Sequence, residues 1–290
     1  MMRKISDVLK EKERTYSFEF FLPRTPKGRN DLYGTVDVLK DLKPDFLSVT
    51  YRADQANRGL TTEIVDEFQE SFGIPTMHHL TCVGHTEAEL NAIIDKMREK
   101  NICNILALRG DPPQGVEHWE PTPGGLEYCY QLIELIRSRD DFFTIGVAGF
   151  PEGHIDSPDK ETDSRYLKTK IDAGAEFVIT QLFFDNRDYF GYVERLKRIG
   201  VSVRIIPGIL PVTDYRKLLR FCQSLGSNIP QRVHDIFKPL DGDAEATYKA
   251  GVQFAVEQCN ELLEGGAPGL HFYTLNKADL VQRVFEEIKR

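Results

Sequence analysis

Cysteine is scarce in this sequence. The five cysteines, at positions 82, 103, 129, 222 and 259, are odd in number and never spaced as CxxC. Such a set supports neither a disulfide framework nor a structural zinc site, and it fits a reducing cytoplasm. Long apolar runs are missing too: no stretch approaches the ~18 apolar residues of a membrane-spanning helix. The first fifteen residues hold only Ile5, Val8 and Leu9 as sizeable apolar side chains beyond methionine, the pattern of a short amphipathic helix and not of a secretory leader. Positive charge is in deficit, with 37 Lys and Arg against 45 Asp and Glu, a net charge of −8 and a pI near 5.5. That balance argues against broad binding to nucleic acid or to an anionic membrane, although it leaves room for a local basic pocket. Also absent are a GxGxxG after any strand, which argues against a standard dinucleotide-binding domain, and the HxH or HExxH spacing of a metal site.

What is present is an ordinary globular composition, 41% hydrophobic and 28% charged over 290 residues. Short apolar, β-rich segments recur along it: 15–21, 45–51, 74–82, 104–110, 143–150, 177–184, 204–211 and 269–275. Most of their starts lie about 30 residues apart, the length of a strand–helix–strand unit. Eight strands alternating with helical patterns, and no linker or low-complexity break, predict one α/β domain over 1–290 folded as a closed (β/α)8 barrel. Additional helices are expected near the N-terminus and between the seventh and eighth strands. A doubly wound open sheet is the alternative. Thr86 with Glu89 forms a capping box, and Asp243 precedes a long helix whose Ala246, Ala250, Phe254 and Leu262 fall near one face.

The fourth strand candidate, NILALRGDPP from Asn104 to Pro113, is an apolar run that stops at Arg109, Gly110, Asp111 and two prolines. A polar strand end halted by proline is where a parallel barrel keeps its chemistry. Asp111 reads either as a catalytic acid or as a turn former. Glu19 sits in a strand where Tyr16, Phe18 and Phe20 alternate with it, so those rings face the helices and Glu19 faces the barrel interior or mouth. Burial there is expected to raise its pKa and suit it to proton donation; a structural ion pair is the other reading. Of the adjacent His78 and His79, only one can face inward, and His79 shares its face with Met77 and Thr81. Glu19, His79, Asp111 and His154 could assemble a metal-dependent site, but the spacing does not support one and no metal is expected. Gln181, on the face of Ile179 and Phe183, has an amide able to read a heterocycle edge or to be satisfied in the core. The loop GFPEGH, with His154, and the helix bearing Lys170 offer anion contacts.

Taken together these segments resemble the catalytic domain of the methylenetetrahydrofolate reductases. The resemblance runs from about Tyr16 to Lys277 through SFEFFLPR, SVTYRA, HLTC, LALRGDPP, VAGFPEGH, DAGAEFVITQLFFD, IIPGILPV and GLHFYTLNK, in that order. It implies a cytoplasmic flavoprotein of one-carbon metabolism, with non-covalent FAD on a (β/α)8 barrel. Such an enzyme reduces 5,10-methylenetetrahydrofolate to 5-methyltetrahydrofolate by ping-pong hydride transfer, with NADH or NADPH as reductant. The alternative is a folate-reducing subunit that takes its electrons from a partner protein. Homo-oligomerisation is expected; nucleic-acid and membrane partners are not. By the resemblance Glu19 protonates the bridged folate, opening it to an iminium that accepts hydride, and Asp111 tunes the flavin and touches the pterin. Gln181, Lys217, Phe221 and Lys277 correspond to further substrate contacts.

The implied FAD contacts include Thr50, Tyr51, Ala53, His79, Arg109, Gly110 and Asp111. Further along the chain they are Tyr128, Cys129, Phe150, His154, Asp163, Tyr166 and Lys170. The sequence departs from bacterial relatives at Arg52, Phe150, Tyr166 and Thr169, and lysine stands at 217 and 277 where glutamine and arginine can occur. Lysine meets a carboxylate without the bidentate fork of arginine. The chain stops at Arg290, so a C-terminal regulatory domain is not expected.

Overall fold

The computed structural model describes residues 2–52, 59–110 and 121–289. Its strands are β1 (Thr15–Phe20), β2 (Phe46–Val49), β3 (Thr76–Thr81), β4 (Asn104–Leu108), β5 (Thr144–Gly149), β6 (Phe177–Thr180), β7 (Arg204–Ile206), β8 (Gly208–Ile209) and β9 (Gly269–Tyr273). The helices before β5 are α1 (Ile5–Glu11), α2 (Pro26–Leu39), α3 (Leu60–Phe72), α4 (Glu87–Glu99) and α5 (Cys129–Arg137). Those after it are α6 (Lys160–Asp172), α7 (Asn186–Arg198), α8 (Tyr215–Leu225), α9 (Gln231–Phe237), α10 (Ala244–Glu264) and α11 (Asp279–Glu287).

Every ladder is parallel, in the order β7-β6-β5-β4-β3-β2-β1-β9-β8. The predicted seventh strand is split into β7 and β8 by Pro207, which has no amide hydrogen to give a ladder. Its carbonyl accepts from the His271 amide at 3.0 Å, and at this residue the chain changes neighbours, from β6 to β9. The barrel therefore closes through Pro207, and nine ladder segments make the eight strands of a (β/α)8 barrel. Several strands end before their predicted limits; β6 stops at Thr180, so Gln181 lies beyond it.

Alternation sorts the side chains as expected along β1. Phe18 meets Phe272 and Phe285, and Phe20 meets Phe68, all in the layer between sheet and helices. Ser17 and Glu19 face inward. Below them Phe46, Met77, Leu106, Phe177, Ile179 and Ile206 fill the barrel, together with Ile5 and Leu9 of α1. That helix plugs the N-terminal end of the barrel. The Ile5 amide donates to Asn104 Oδ1 at 2.7 Å, and Ser6 Oγ lies 2.9 Å from Thr144 Oγ1, both at strand starts. One end is thus closed by apolar packing, and the loops at the other end are left for chemistry.

The predicted helix starts hold. Thr86 and Glu89 form the capping box of α4, and Asp243 caps α10 by accepting from the Ala246 amide at 2.9 Å. The buried stripe of α10 is shifted from the predicted one. It runs through Thr247, Gly251, Phe254, Ala255, Cys259 and Leu262, leaving Ala246 and Ala250 partly exposed; Gly251 lies directly against the Val212 backbone, where a Cβ would run into the carbonyl oxygen. α1, and two of the three helices α8, α9 and α10 between β8 and β9, are additional to the repeating unit. All five cysteines are buried free thiols. Among the described residues no helix is long and apolar enough to cross a membrane.

Candidate active site at the barrel mouth

A parallel barrel delivers the C-terminal ends of all its strands to one face. At the centre of that face is Glu19, the penultimate residue of β1, only 8% exposed. Register places Ser48 of β2 opposite Glu19, and His271 of β9 opposite Ser17. Glu19 Oε2 lies 3.2 Å from His271 Nε2 and 3.4 Å from His79 Nε2, and it accepts from Ser48 Oγ at 3.4 Å. The other ring nitrogen of His271 is 2.7 Å from Ser17 Oγ, while His79 Nε2 is 3.3 Å from Ser48 Oγ. A buried carboxylate needs such partners, because charge taken out of water is costly unless paired.

The pairing reverses the expected pKa of Glu19. Burial is the largest single influence and pushes it up. Against this act the charge of His79, the hydrogen bond and charge of His271, and the Ser48 hydroxyl, and the carboxyl is held below its ordinary value. Burial lowers His79 in turn, opposed by the Glu19 carboxylate and reinforced by His271. The carboxyl and the two imidazoles thus form one cluster gathered on Glu19 Oε2.

The backbone around Glu19 is held from β9. Thr274 Oγ1 donates to the Glu19 carbonyl at 2.6 Å. The Asn276 amide group accepts from Phe21 N at 2.8 Å and donates to Phe21 O at 2.9 Å, extending the β1–β9 ladder with a side chain. To do so the chain places both Leu275 (φ 50°) and Asn276 (φ 56°) in the left-handed region. Asparagine tolerates that region and leucine does not favour it, so this is strain stored beside the site.

A cationic shelf lies at the ends of β4 and β5. Arg109 pairs with Asp156 at 2.9 Å, and the Lys170 ammonium donates to the Ala148 carbonyl at 3.1 Å while sitting 5.8 Å from the Phe150 ring centre. The Phe150 and His154 rings meet edge to face at 4.6 Å. Asp163 accepts from the His154 amide at 3.3 Å and from Ser157 Oγ at 3.2 Å. Burial lowers the pKa of His154 against the pull of Asp156, and burial raises that of Asp163 against Lys170. Gly110 turns with φ 89°, and a Cβ there would stand 2.9 Å from the Thr81 side chain. Thr81 Oγ1 is itself buried with no hydrogen-bond partner among the described residues. Basic side chains around a tight glycine turn, next to an unsatisfied hydroxyl, suit a bulky anionic ligand with polar ring edges.

The other predicted contacts have the following surroundings in the fold. Thr50 Oγ1 accepts from Leu22 N at 3.0 Å, and the Tyr51 hydroxyl is 2.9 Å from His85 Nε2. Cys129 donates its thiol to Ala107 O at 3.1 Å. Tyr128 and Tyr166 are 46% and 56% exposed, and Thr169 bonds back to Arg165 O on the surface of α6. Gln181 accepts from the Leu182 amide at 2.9 Å and does not share a face with Phe183, which packs in the outer layer. Beyond β8, Lys217 and Phe221 line a cleft of about 390 Å³ together with Leu210, Asp214, Arg220 and Leu275. Lys277 follows β9 and is exposed. Ala53 and Asp111 lie outside the described residues.

Sequence reasoning passed over His271, Ser17, Ser48, Thr274 and Asn276. His271 left a signal: in GLHFYTL it occupies the same face as Tyr273, an imidazole in an otherwise apolar stretch. The serines left none, since their role depends on the register of neighbouring strands.

The architecture is that of an enzyme barrel, with a paired acid at the centre of its mouth and a basic shelf beside it. A profile of the methylenetetrahydrofolate reductases matches residues 4–289. The chain belongs to this family of oxidoreductases. It is 38% identical over 264 residues to the 5,10-methylenetetrahydrofolate reductase of Escherichia coli (strain K12), covering 91% of this chain and 87% of that one. It is 37% identical over 292 residues to methylenetetrahydrofolate reductase 1 of Schizosaccharomyces pombe, covering 98% of this chain and 48% of the yeast protein. The chain thus spans about half the length of its eukaryotic relatives. Among solved structures, a Clostridium thermocellum protein that binds two copies of 5-methyl-5,6,7,8-tetrahydrofolic acid superposes with a TM-score of 0.64. At 14% identity, covering 98% of this chain and 96% of that one, it shares the fold.

Proposed function

We propose that this barrel reduces 5,10-methylenetetrahydrofolate to 5-methyltetrahydrofolate, with FAD as its redox group and NADH or NADPH as electron source. The observation that carries the reading is Glu19, a buried carboxylate at the barrel mouth held by two imidazoles, in a chain that matches the family end to end. FAD, when bound, supplies the hydride chemistry. Its anionic diphosphate suits Arg109, Lys170 and His154, and its polar ring edge suits the Thr81 hydroxyl and the Gly110 turn. Thr50, Tyr51 and Phe150, which follow their strands, and Asp163 and Tyr166 of α6 would complete that site, and Ala53, Asp111, Tyr128 and Cys129 belong to the same assignment.

Glu19 and its imidazoles hold a proton for a ring nitrogen of the bridged folate. Transfer of that proton opens the five-membered ring to an iminium, which is the hydride acceptor. A substrate lying over the mouth excludes water from Glu19 and strengthens the burial that already pushes its pKa up, so binding itself moves the carboxyl toward the protonated state. Gln181, just beyond β6, would hydrogen-bond the pterin through its amide. Phe221 offers a ring to stack on substrate, and Lys217 and Lys277 offer charge to its carboxylates.

The test is anaerobic. The purified protein is expected to be yellow, to be bleached by NADH or NADPH, and to regain its colour on addition of methylenetetrahydrofolate. A correctly folded protein that takes up no flavin defeats the proposal. Bleaching by artificial dyes but by neither nicotinamide moves the electron source to a protein partner.

A further inference from the structure

The loop after β5 is tied to a distant part of the chain. Glu152, half-buried in that loop, accepts a hydrogen bond at Oε2 from the backbone amide of Asn228 at 3.1 Å. Its Oε1 is buried with no hydrogen-bond partner among the described residues. Next to this bond Ile155 lies against Gly226, the residue that ends α8 in the left-handed conformation at φ 68°. One hydrogen bond and one apolar contact thus fasten the C-terminal turn of α8 to the β5 loop. The loop is the fixed end, because Arg195 donates to the Pro151 carbonyl at 2.9 Å and Asp163 holds the His154 amide. On the other side, Cys222 buries α8 in a second core cluster, while Gly226 and Asn228 beyond it are exposed. α8 is also the helix that carries Lys217 and Phe221 along the cleft.

We propose that Glu152 is a positioning residue for substrate binding, a strap that sets α8, and with it Phe221 and Lys217, over the cleft. The inference rests on the reading of those two side chains as folate contacts. The strap is sensitive to pH. Facing Glu152 are Lys160 of α6, Asp185 and Asp188 at the start of α7, and Cys222 of α8. Lys160 is engaged by Asp188 at 2.8 Å, and Asp185 by Arg187 Nε at 2.9 Å, so among the described residues no cation is paired with Glu152. Burial, with the two aspartates, pushes Glu152 up to about 7 against the Asn228 hydrogen bond and Lys160. An ionised acceptor holds an N–H about twice as strongly as a neutral one. That gain is outweighed by the burial that raises the pKa, so the closed strap favours the protonated carboxyl; it is tightest at low pH and slackens as pH rises through about 7.

Hydrogen exchange over residues 221–230 of the flavin-loaded protein reads the strap directly, at about pH 6 and about pH 8 after correction for intrinsic exchange. The parent should be better protected at the lower pH, E152Q should lose the pH dependence, and E152A should be unprotected at both. In stopped flow, E152A should show a KM for methylenetetrahydrofolate raised about tenfold, the loss of one charge-assisted bond. Its rate of flavin reduction should stay within about twofold of the parent, inside the scatter of unrelated sites. Parent-like protection in E152A, or protection independent of pH in the parent, overturns the strap. If E152A fails to fold, the parent and E152Q series decide. A parent that shows the exchange pattern yet never turns over the folate sinks the proposed function and leaves the strap standing.

Discussion

Glu19→Gln separates the two halves of the proposed reaction. The substitution keeps size and shape, and its amide oxygen can take the place of Oε2, accepting from His271 and Ser48 across the present 3.2 and 3.4 Å. Exchanging a charged acceptor for a neutral one costs about 1 kcal/mol of stability, so the variant is expected to fold and to load flavin. What it loses is the exchangeable proton. A positioned general acid is worth ~10²–10⁴ in rate, which is about 3–5 kcal/mol of barrier. The folate half-reaction should fall by that factor, while bleaching of the flavin by nicotinamide, which transfers hydride without an acid, should keep its parent rate. A third readout is independent of turnover. The carboxylate of Glu19 is what pulls the His79 pKa upward against burial, so NMR titration of His79 should move further down in the variant. Equal losses in both half-reactions would refute the reasoning and make Glu19 a structural residue. An unmoved His79 would refute the electrostatic picture of the cluster.

His78 faces outward from β3, with Nε2 3.1 Å from Thr62 Oγ1 and Nδ1 buried without a partner among the described residues, and burial lowers its pKa to about 3. The unfolded chain takes up a proton below about 6.5 that the folded one refuses, so His78 costs stability as pH falls from there to about 3, up to about 4 kcal/mol. Glu152, raised to about 7, acts with the opposite sign over much of this range, contributing stability that is lost as pH rises. The check is therefore the difference in urea unfolding between His78→Gln and the parent, which should favour the variant increasingly from about pH 6 to about pH 4; a difference constant with pH disproves it. Asn276→Gly keeps a residue content with φ 56° but removes the two bonds to Phe21, and should cost about 1 kcal/mol at this half-exposed site, with faster exchange of the Phe21 amide. Unchanged exchange there would show that the ladder extension is idle.

Much of the barrel was legible because its signals are local. Alternation along Tyr16–Phe20 is enough to send the rings outward and Glu19 inward, and the recurrence of apolar segments implies the repeating unit. The capping residues Thr86 and Asp243 work within their own first turns. What escaped depends on partners far along the chain. Pro207 could be read as a poor strand residue, but not as the point where the sheet closes, since that requires β6 and β9 on either side. The buried stripe of α10 takes in Gly251, which lies against the Val212 backbone. Gln181 was assigned a face by extending β6 past Thr180, where the strand has ended. In each case the neighbour involved lies dozens of residues away.

The same distinction explains the reversed pKa of Glu19. Read in isolation, a carboxyl among aromatic residues is a desolvated acid, and burial is indeed the largest influence on it. Yet a carboxyl that deep can be carried by a stable fold only with partners, and the fold supplies His79 and His271 on strands that flank it in space and not in sequence. The partners that make the burial tolerable are those that hold the proton off Glu19. A proton donor built this way cannot be a solitary raised acid. Its titration is coupled to that of His79, and the folate half-reaction should titrate with the macroscopic constants of that pair. Removing the Ser17 hydroxyl, 2.7 Å from His271 Nδ1 and out of contact with the carboxylate, would then shift that profile without abolishing it.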